Sequence, residues 1–334
     1  MTAESGQTAS VVDRMVDVVA GAPVVAVHVI GAATGFVLGE ESVLLVTADG
    51  GERRVPAHGG GILSACATAA EIVTGGDDGR VVATNAEGAT REIAADPKRR
   101  WIDQVAVSPA GAVAWSAGRS VFVRTVAGEQ RTLDLPSSAG GLAFAPKGFR
   151  VAIAHYNGAT LWFPNAAAAP ETLEWKGSHL GALFSPDGKF LITTMQEPML
   201  HGWRLADGKH MRMSGYSAKV RSVAWTADQK SLATSGSEQL ILWPFQGKDG
   251  PMGKAPRMLA PHQARVVAVA CSPRDETAAV GYADGLIMLV RLSDGAEILA
   301  RKPDGDPVSA LTLGGNPARL AFGTESGRAG ILSL

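Results

Sequence analysis

Short apolar runs of four to six residues recur along the chain, each bounded by turn-forming residues. Val220–Trp243 shows the unit: Val220-Arg-Ser-Val-Ala-Trp225, a turn over 226–230, Ser231-Leu-Ala-Thr234, a turn over 235–238, then Leu240-Ile-Leu-Trp243. Runs this short, rich in Val, Ile, Leu, Thr and Trp and separated by polar turns, predict antiparallel strands rather than helices. The unit repeats. Anchored on the residue that ends each first strand, the copies fall at Gly31, Ala69, Pro109, Pro146, Pro186, Ala227, Pro273 and Gly315, with spacings of 38, 40, 37, 40, 41, 46 and 42. A period near 40 carrying three or four strands is the pattern of a ring of four-stranded sheets. Second and third strands follow each anchor, as in Glu71-Ile-Val-Thr74 with Arg80-Val-Val-Ala-Thr84. Fourth strands follow these, as in Arg131-Thr-Leu-Asp-Leu135 and Glu297-Ile-Leu-Ala300. The segment 246–261, with three glycines and three prolines, reads as a loop insertion in the sixth unit.

The eighth unit runs out at Ile331-Leu-Ser-Leu334 with no residues for a fourth strand. The apolar stretch Val11–Val19 has no other partner and is expected to supply it, because an open ring would leave strand edges unpaired. The expected fold is therefore all-β: an eight-bladed β-propeller of four-stranded blades, seven being the alternative, closed by an N-terminal strand. Residues 1–334 form one domain in this reading, with 1–20 as tail and closing strand.

These residues resemble the WD40-repeat family. Ser185-Pro-Asp-Gly188, Ala233-Thr-Ser-Gly-Ser237 and the third strands ending at Trp162, Trp203 and Trp243 carry the likeness. The repeats are degenerate. Phe163, Arg204 and Pro244 follow those tryptophans where the family has Asp, and Thr84 and Val290 replace Trp elsewhere. Only His58 and His262 stand at the family's His position, eleven residues before the anchor, and Asp78 and Asp284 match its turn aspartate. The resemblance implies a hydrogen-bond network of His58, Thr74 and Asp78, and a smaller one of His262 and Asp284. It also implies a platform for protein partners.

Composition narrows the function. Hydrophobic residues make up 46% and charged residues 19% of the 334, enough for a sizeable core. With 31 basic and 32 acidic residues the net charge is −1, which argues against a dedicated nucleic-acid or membrane-surface binder. The N-terminus lacks a basic region and its apolar run is broken by Asp13, Arg14 and Asp17, so neither signal peptide nor membrane span is expected. Cys66 and Cys271 read as separate buried thiols, and a cytoplasmic location follows. The seven histidines show no metal-ligand spacing, no nucleophile elbow has the right context, and the glycine-rich stretches sit between strands with no helix after them. No catalytic residue, metal or cofactor is assigned.

What remains is the face where each outer strand connects to the next inner strand. Arg99, Arg100, Trp101 and Asp103, then Trp175 and His179, then Tyr216, Lys219 and Arg221, then Arg265 are placed there. Trp, Tyr and Arg dominate binding hot spots, and loops on a rigid scaffold are where function concentrates. The expectation is a non-catalytic scaffold, monomeric or part of a hetero-complex. Its partner is a protein or peptide with acidic and apolar anchors. The alternative is a propeller hydrolase or metal-dependent enzyme with its site at the central channel.

Overall fold

In a computed structural model that describes residues 9–334, nearly all regular structure is β; the single helical element is a 3-10 turn at Val12–Arg14. The expected tail over residues 1–8 lies outside the described residues. Hydrogen bonding joins the strands into seven sheets: five of four strands, one of five and one of six. The six-stranded sheet is double. Its two long members, Val151–Trp162 and Glu171–Phe184, each serve two strand positions. Ala154 and its predecessors pair with Gly141–Phe144, while residues 158–161 pair with 171–174. Between them Asn157 and Gly158 have φ of 67° and 146°, and His155 Nε2 lies 2.9 Å from Thr160 Oγ1, five residues on. Positive φ at an Asn-Gly pair is the signature of a tight hairpin turn. Glu171–Phe184 turns likewise at Gly177 (φ 121°), and from His179 onward it pairs with Phe190–Met195. The ring thus has seven sheets carrying eight four-stranded ladders, so each expected number describes one way of counting it.

The core confirms that count from the side chains. Eight buried apolar clusters each join two consecutive ladders. Two of them flank the double sheet. One sets Val121, Val123 and Trp162 around Val151 and Ile153; the other sets Leu161 and Leu173 against Leu191 and Trp203. Inner strands approach closely here, since a Cβ on Gly140 would stand 2.1 Å from the His179 carbonyl oxygen. Only glycine permits that contact.

Closure follows the expected route with one addition. Val16–Val19 pairs antiparallel with Arg328–Ser333 and completes the last ladder, Val18 being buried against Phe36, Leu38 and Ala321. Ahead of it, Ala9–Ser10 pairs in parallel with Ile298 and Leu299 on the outer strand of the seventh ladder. The N-terminal segment therefore straps two neighbouring sheets rather than one. No helix among the described residues is long and apolar enough to cross a membrane.

Candidate partner-binding face

His58 stands 3.0 Å from Asp78 through Nδ1 and 2.8 Å from Thr74 through Nε2. Asp78 also accepts from the Gly59 and Arg80 backbone N–H groups at 2.9 and 3.0 Å. One carboxylate thus ties the loop before the inner strand to the loop after the second strand, as anticipated. The position where a tryptophan is missing leaves a trace: the Thr84 hydroxyl is buried without a partner. In the seventh ladder His262 Nε2 lies 2.6 Å from Asp284 Oδ2, Val280 stands at the position of Thr74, and Tyr282, two residues on, donates to the Ala260 carbonyl at 2.5 Å.

Two residues assigned to the exposed face are internal. Tyr216 is 8% exposed; its hydroxyl accepts from Trp243 Nε1 at 2.6 Å and lies 2.9 Å from Thr234 Oγ1. His179 is 1% exposed, held by Thr193 Oγ1 at 2.7 Å and the Trp175 carbonyl at 3.0 Å. Burial holds its imidazole below the ordinary range. Both were placed on the surface because loop residues usually are, yet here they close the polar networks of the fifth and sixth ladders. Trp175 is half-buried and stacks on His201 at 4.1 Å. Trp175 and Tyr216 lie eleven residues before Pro186 and Ala227, the same spacing that identified His58 and His262. That spacing was the signal available for them.

Arg100 is also committed. Its guanidinium grips the buried Asp96 carboxylate at 2.7 and 3.1 Å and lies 3.3 Å from Ser120 Oγ. Burial alone would raise Asp96, but Arg100 and two backbone N–H groups outweigh it and hold the carboxyl below its usual range. Asp103 is half-buried and accepts from the Gly118 N–H at 3.2 Å. Beside this lock Trp101 is 61% exposed and Arg99 is exposed with φ 51°.

Lys219, Arg221 and Arg265 come together on the far side of the ring. All three line one pocket of about 260 Å³ at the junction of the sixth and seventh ladders, with Ser235, Val267, Pro307 and Glu325. Lys219 makes a long 3.5 Å contact to Gln196. Arg221, Val267, Pro307 and Glu325 also line an adjoining pocket of about 290 Å³, which reaches Val25, His28 and Ser309 on the inner strands.

Chemistry other than binding finds little here. Cys66 and Cys271 are free, and burial pushes both thiols up to about 12, so neither is a ready nucleophile. Among the described residues no group of three or more His, Cys, Asp or Glu is arranged to hold a metal.

No family model matches the chain. Over 82 residues, 24% of the chain, it is 34% identical to WD repeat-containing protein 1-B of Xenopus laevis, and it is 33% identical to protein 1-A of the same organism. The matched stretch spans 14% of the length of each relative. Among solved structures, the computationally designed protein Ika8 superposes with a TM-score of 0.77 at 17% identity, over 95% of this chain and 98% of that one. The RRP9 WD40 repeats give 0.62 at 14% identity, over 84% and 97%. U3-55K gives 0.60 at 14%, over 84% and 98%. At these identities the structural likenesses speak to the fold.

Proposed function

We propose that the chain is a WD40-repeat β-propeller with degenerate repeats and a non-catalytic scaffold that captures a protein or peptide on the face holding Lys219, Arg221 and Arg265. Propellers of this family typically serve as protein-interaction scaffolds. The observation that carries the reading is the convergence of these three cations, from two separate loops, on one open pocket. A closed ring presents such loops preformed, so little ordering cost falls on its side of the complex. The 1–334 chain acts as one unit in this reading. Two free, half-buried thiols fit a reducing cytoplasmic setting.

The test is capture from native lysate with the wild-type protein and with Lys219→Gln, Arg221→Gln and Arg265→Gln combined. The reading expects a dominant partner that the triple variant loses while its melting curve is unchanged. A substrate turned over by the purified protein, or retention of every captured partner, overturns it.

A further inference from the structure

Five inner strands share one irregularity. The pairing register of the first, second, fifth, seventh and eighth ladders shifts after the opening residue, between Val24 and Ala26, Ile62 and Ser64, His179 and Gly181, Val266 and Ala268, and Val308 and Ala310. Each shift leaves one residue out of the ladder: Val25, Leu63, Leu180, Val267 and Ser309. A β-bulge of this kind re-aims the extra side chain. Four of the five are aliphatic, and Val25, Leu63 and Leu180 remain 45%, 42% and 38% exposed although they begin inner strands. The bulges sit at the same height around the ring, just inside the loop face, and so place an apolar collar at the mouth of the channel.

The collar meets the basic cluster at one place. Val25, Val267 and Ser309 line the 290 Å³ pocket, and Arg221 stands in its wall and in that of the neighbouring pocket with Lys219 and Arg265. Elsewhere several arginines are matched by acids, among them Arg80 with Glu92, Arg91 with Glu71, Arg131 with Glu129, Arg204 with Asp207 and Asp249, Arg291 with Asp294, and Arg301 with Asp304. Others, such as Arg53, Arg54, Arg124 and Arg319, donate to backbone carbonyls instead, so what sets Arg221 and Arg265 apart is that they share one pocket with Lys219. Among the described residues neither Arg221 nor Arg265 has a carboxylate within ion-pair distance, and Glu325 is the one acid lining both pockets. The wall holds a second unmatched group, for His28 lines the channel pocket and its Nε2 is buried with no hydrogen-bond partner. Like-charged side chains held together, and a buried polar atom left unpaired, both cost stability. An occupant of opposite charge relieves the first.

We infer that the channel mouth between the sixth, seventh, eighth and first ladders is the recognition pocket for an acidic segment of a partner protein. An aliphatic or aromatic side chain of that segment seats among Val25, Val267 and the collar, and a neighbouring Asp or Glu meets Arg221, with Arg265 and Lys219 behind it. This deepens the scaffold reading and rests on it. It also moves the centre of recognition away from Trp101, which stands across the ring.

The experiment is selection of a random twelve-residue peptide library on the purified full chain, repeated on three variants. These are Arg221→Gln with Arg265→Gln, Val25→Asp with Val267→Asp, and Trp101→Ala. Each is first checked for an unchanged melting curve, and Val25→Ala with Val267→Ala replaces the Asp pair if that pair unfolds. The expected result is enrichment of peptides with Asp or Glu beside Leu, Ile, Met or Phe. Their affinity should fall at least tenfold on the first two variants, weaken with added salt, and persist on Trp101→Ala. Acidic peptides that bind all three variants equally overturn this pocket, and the scaffold reading is then decided separately by lysate capture with the combined Lys219, Arg221 and Arg265 variant. A library that enriches nothing, while a single-stranded RNA oligonucleotide binds through Arg221 and Arg265, overturns both.

Discussion

Trp243 donates its indole N–H to the Tyr216 hydroxyl at 2.6 Å, across 27 residues of sequence and between two strands' worth of buried side chains. The hydroxyl in turn lies 2.9 Å from Thr234 Oγ1, which donates to the Ile241 carbonyl at 3.2 Å. Three polar side chains thus pass hydrogen bonds in one direction and end on the backbone, with none left over. Burial pushes the Tyr216 phenol up to about 12, so it stays a donor throughout the working pH range. Tyr216→Phe keeps the ring and removes the link, leaving the Trp243 N–H buried and unsatisfied. The expected cost is about 1–3 kcal/mol, read as a lower urea midpoint with an unchanged slope. An unaltered midpoint would show that the chain of bonds is not a structural support.

His201 is the opposite case. It is fully buried, stacked on Trp175 and edge-on to Trp203, and neither ring nitrogen has a partner. Burial first, then His179, His210 and Arg212 nearby, push its pKa down to about 3. His28 is pushed down to about 4 by burial. Because the unfolded chain binds these protons near pH 6.5 and the folded chain does not, the neutral folded state is fully favoured above about 6.5. Stability is then lost as pH falls through the window toward 4 and 3. His201→Leu removes one of these protons from the balance and two orphaned nitrogens from the core. Its melting temperature should match or exceed wild type at pH 7.5 and fall less steeply between pH 6.5 and 4. A parallel pH profile for the two proteins would sink the assignment.

Thr84 gives a smaller test of the same idea. Its hydroxyl occupies the third-strand position of the second ladder where an indole N–H would have served, and it has no partner. Thr84→Val is nearly isosteric and should raise stability by about 1 kcal/mol. Thr74→Val, four positions from Asp78 and bonded to His58, should instead lower it by about 1–3 kcal/mol, because it strands the buried imidazole. Equal effects from the two changes would refute the distinction between a used and an unused hydroxyl.

The ladder order, the closing strand and the His58 network were legible in the sequence, because period, strand patterning and a fixed spacing each carry a physical meaning. The double sheet was harder to read. Only the Asn157–Gly158 turn separates two strands there, and no polar stretch marks it. The burial of Tyr216 was hidden because the eleven-residue slot reads as a histidine position, although any large side chain with a polar edge can fill it. The bulges at Val25, Leu63, Leu180 and Val267 leave no trace in an apolar run: one extra residue in VVAVHVI looks like any other. Pairing register, not residue type, reveals them.

Ring closure makes the strongest prediction. Val16–Val19 contributes four paired positions to the last ladder, Ala20 and Gly21 both donate to the Gly327 carbonyl, and Val18 is buried against residues of the first and last ladders. Without this strand the edge of Arg328–Ser333 is bare, a template for pairing with another chain. The cluster that joins the ends of the ring also loses its outer wall. Deleting residues 1–20 should therefore lower the melting temperature sharply and increase aggregation on heating. Val18→Asp isolates the core contribution: burying a charge among Phe36, Leu38 and Ala321 should cost several kcal/mol while leaving the backbone ladder in place. Val19→Asp, on the opposite face of the same strand with its side chain 80% exposed, should cost almost nothing. Equal melting temperatures for the Val18 and Val19 variants would mean that the strand closes the ring through its backbone alone, and an unchanged curve for the deletion would mean that it does not close the ring.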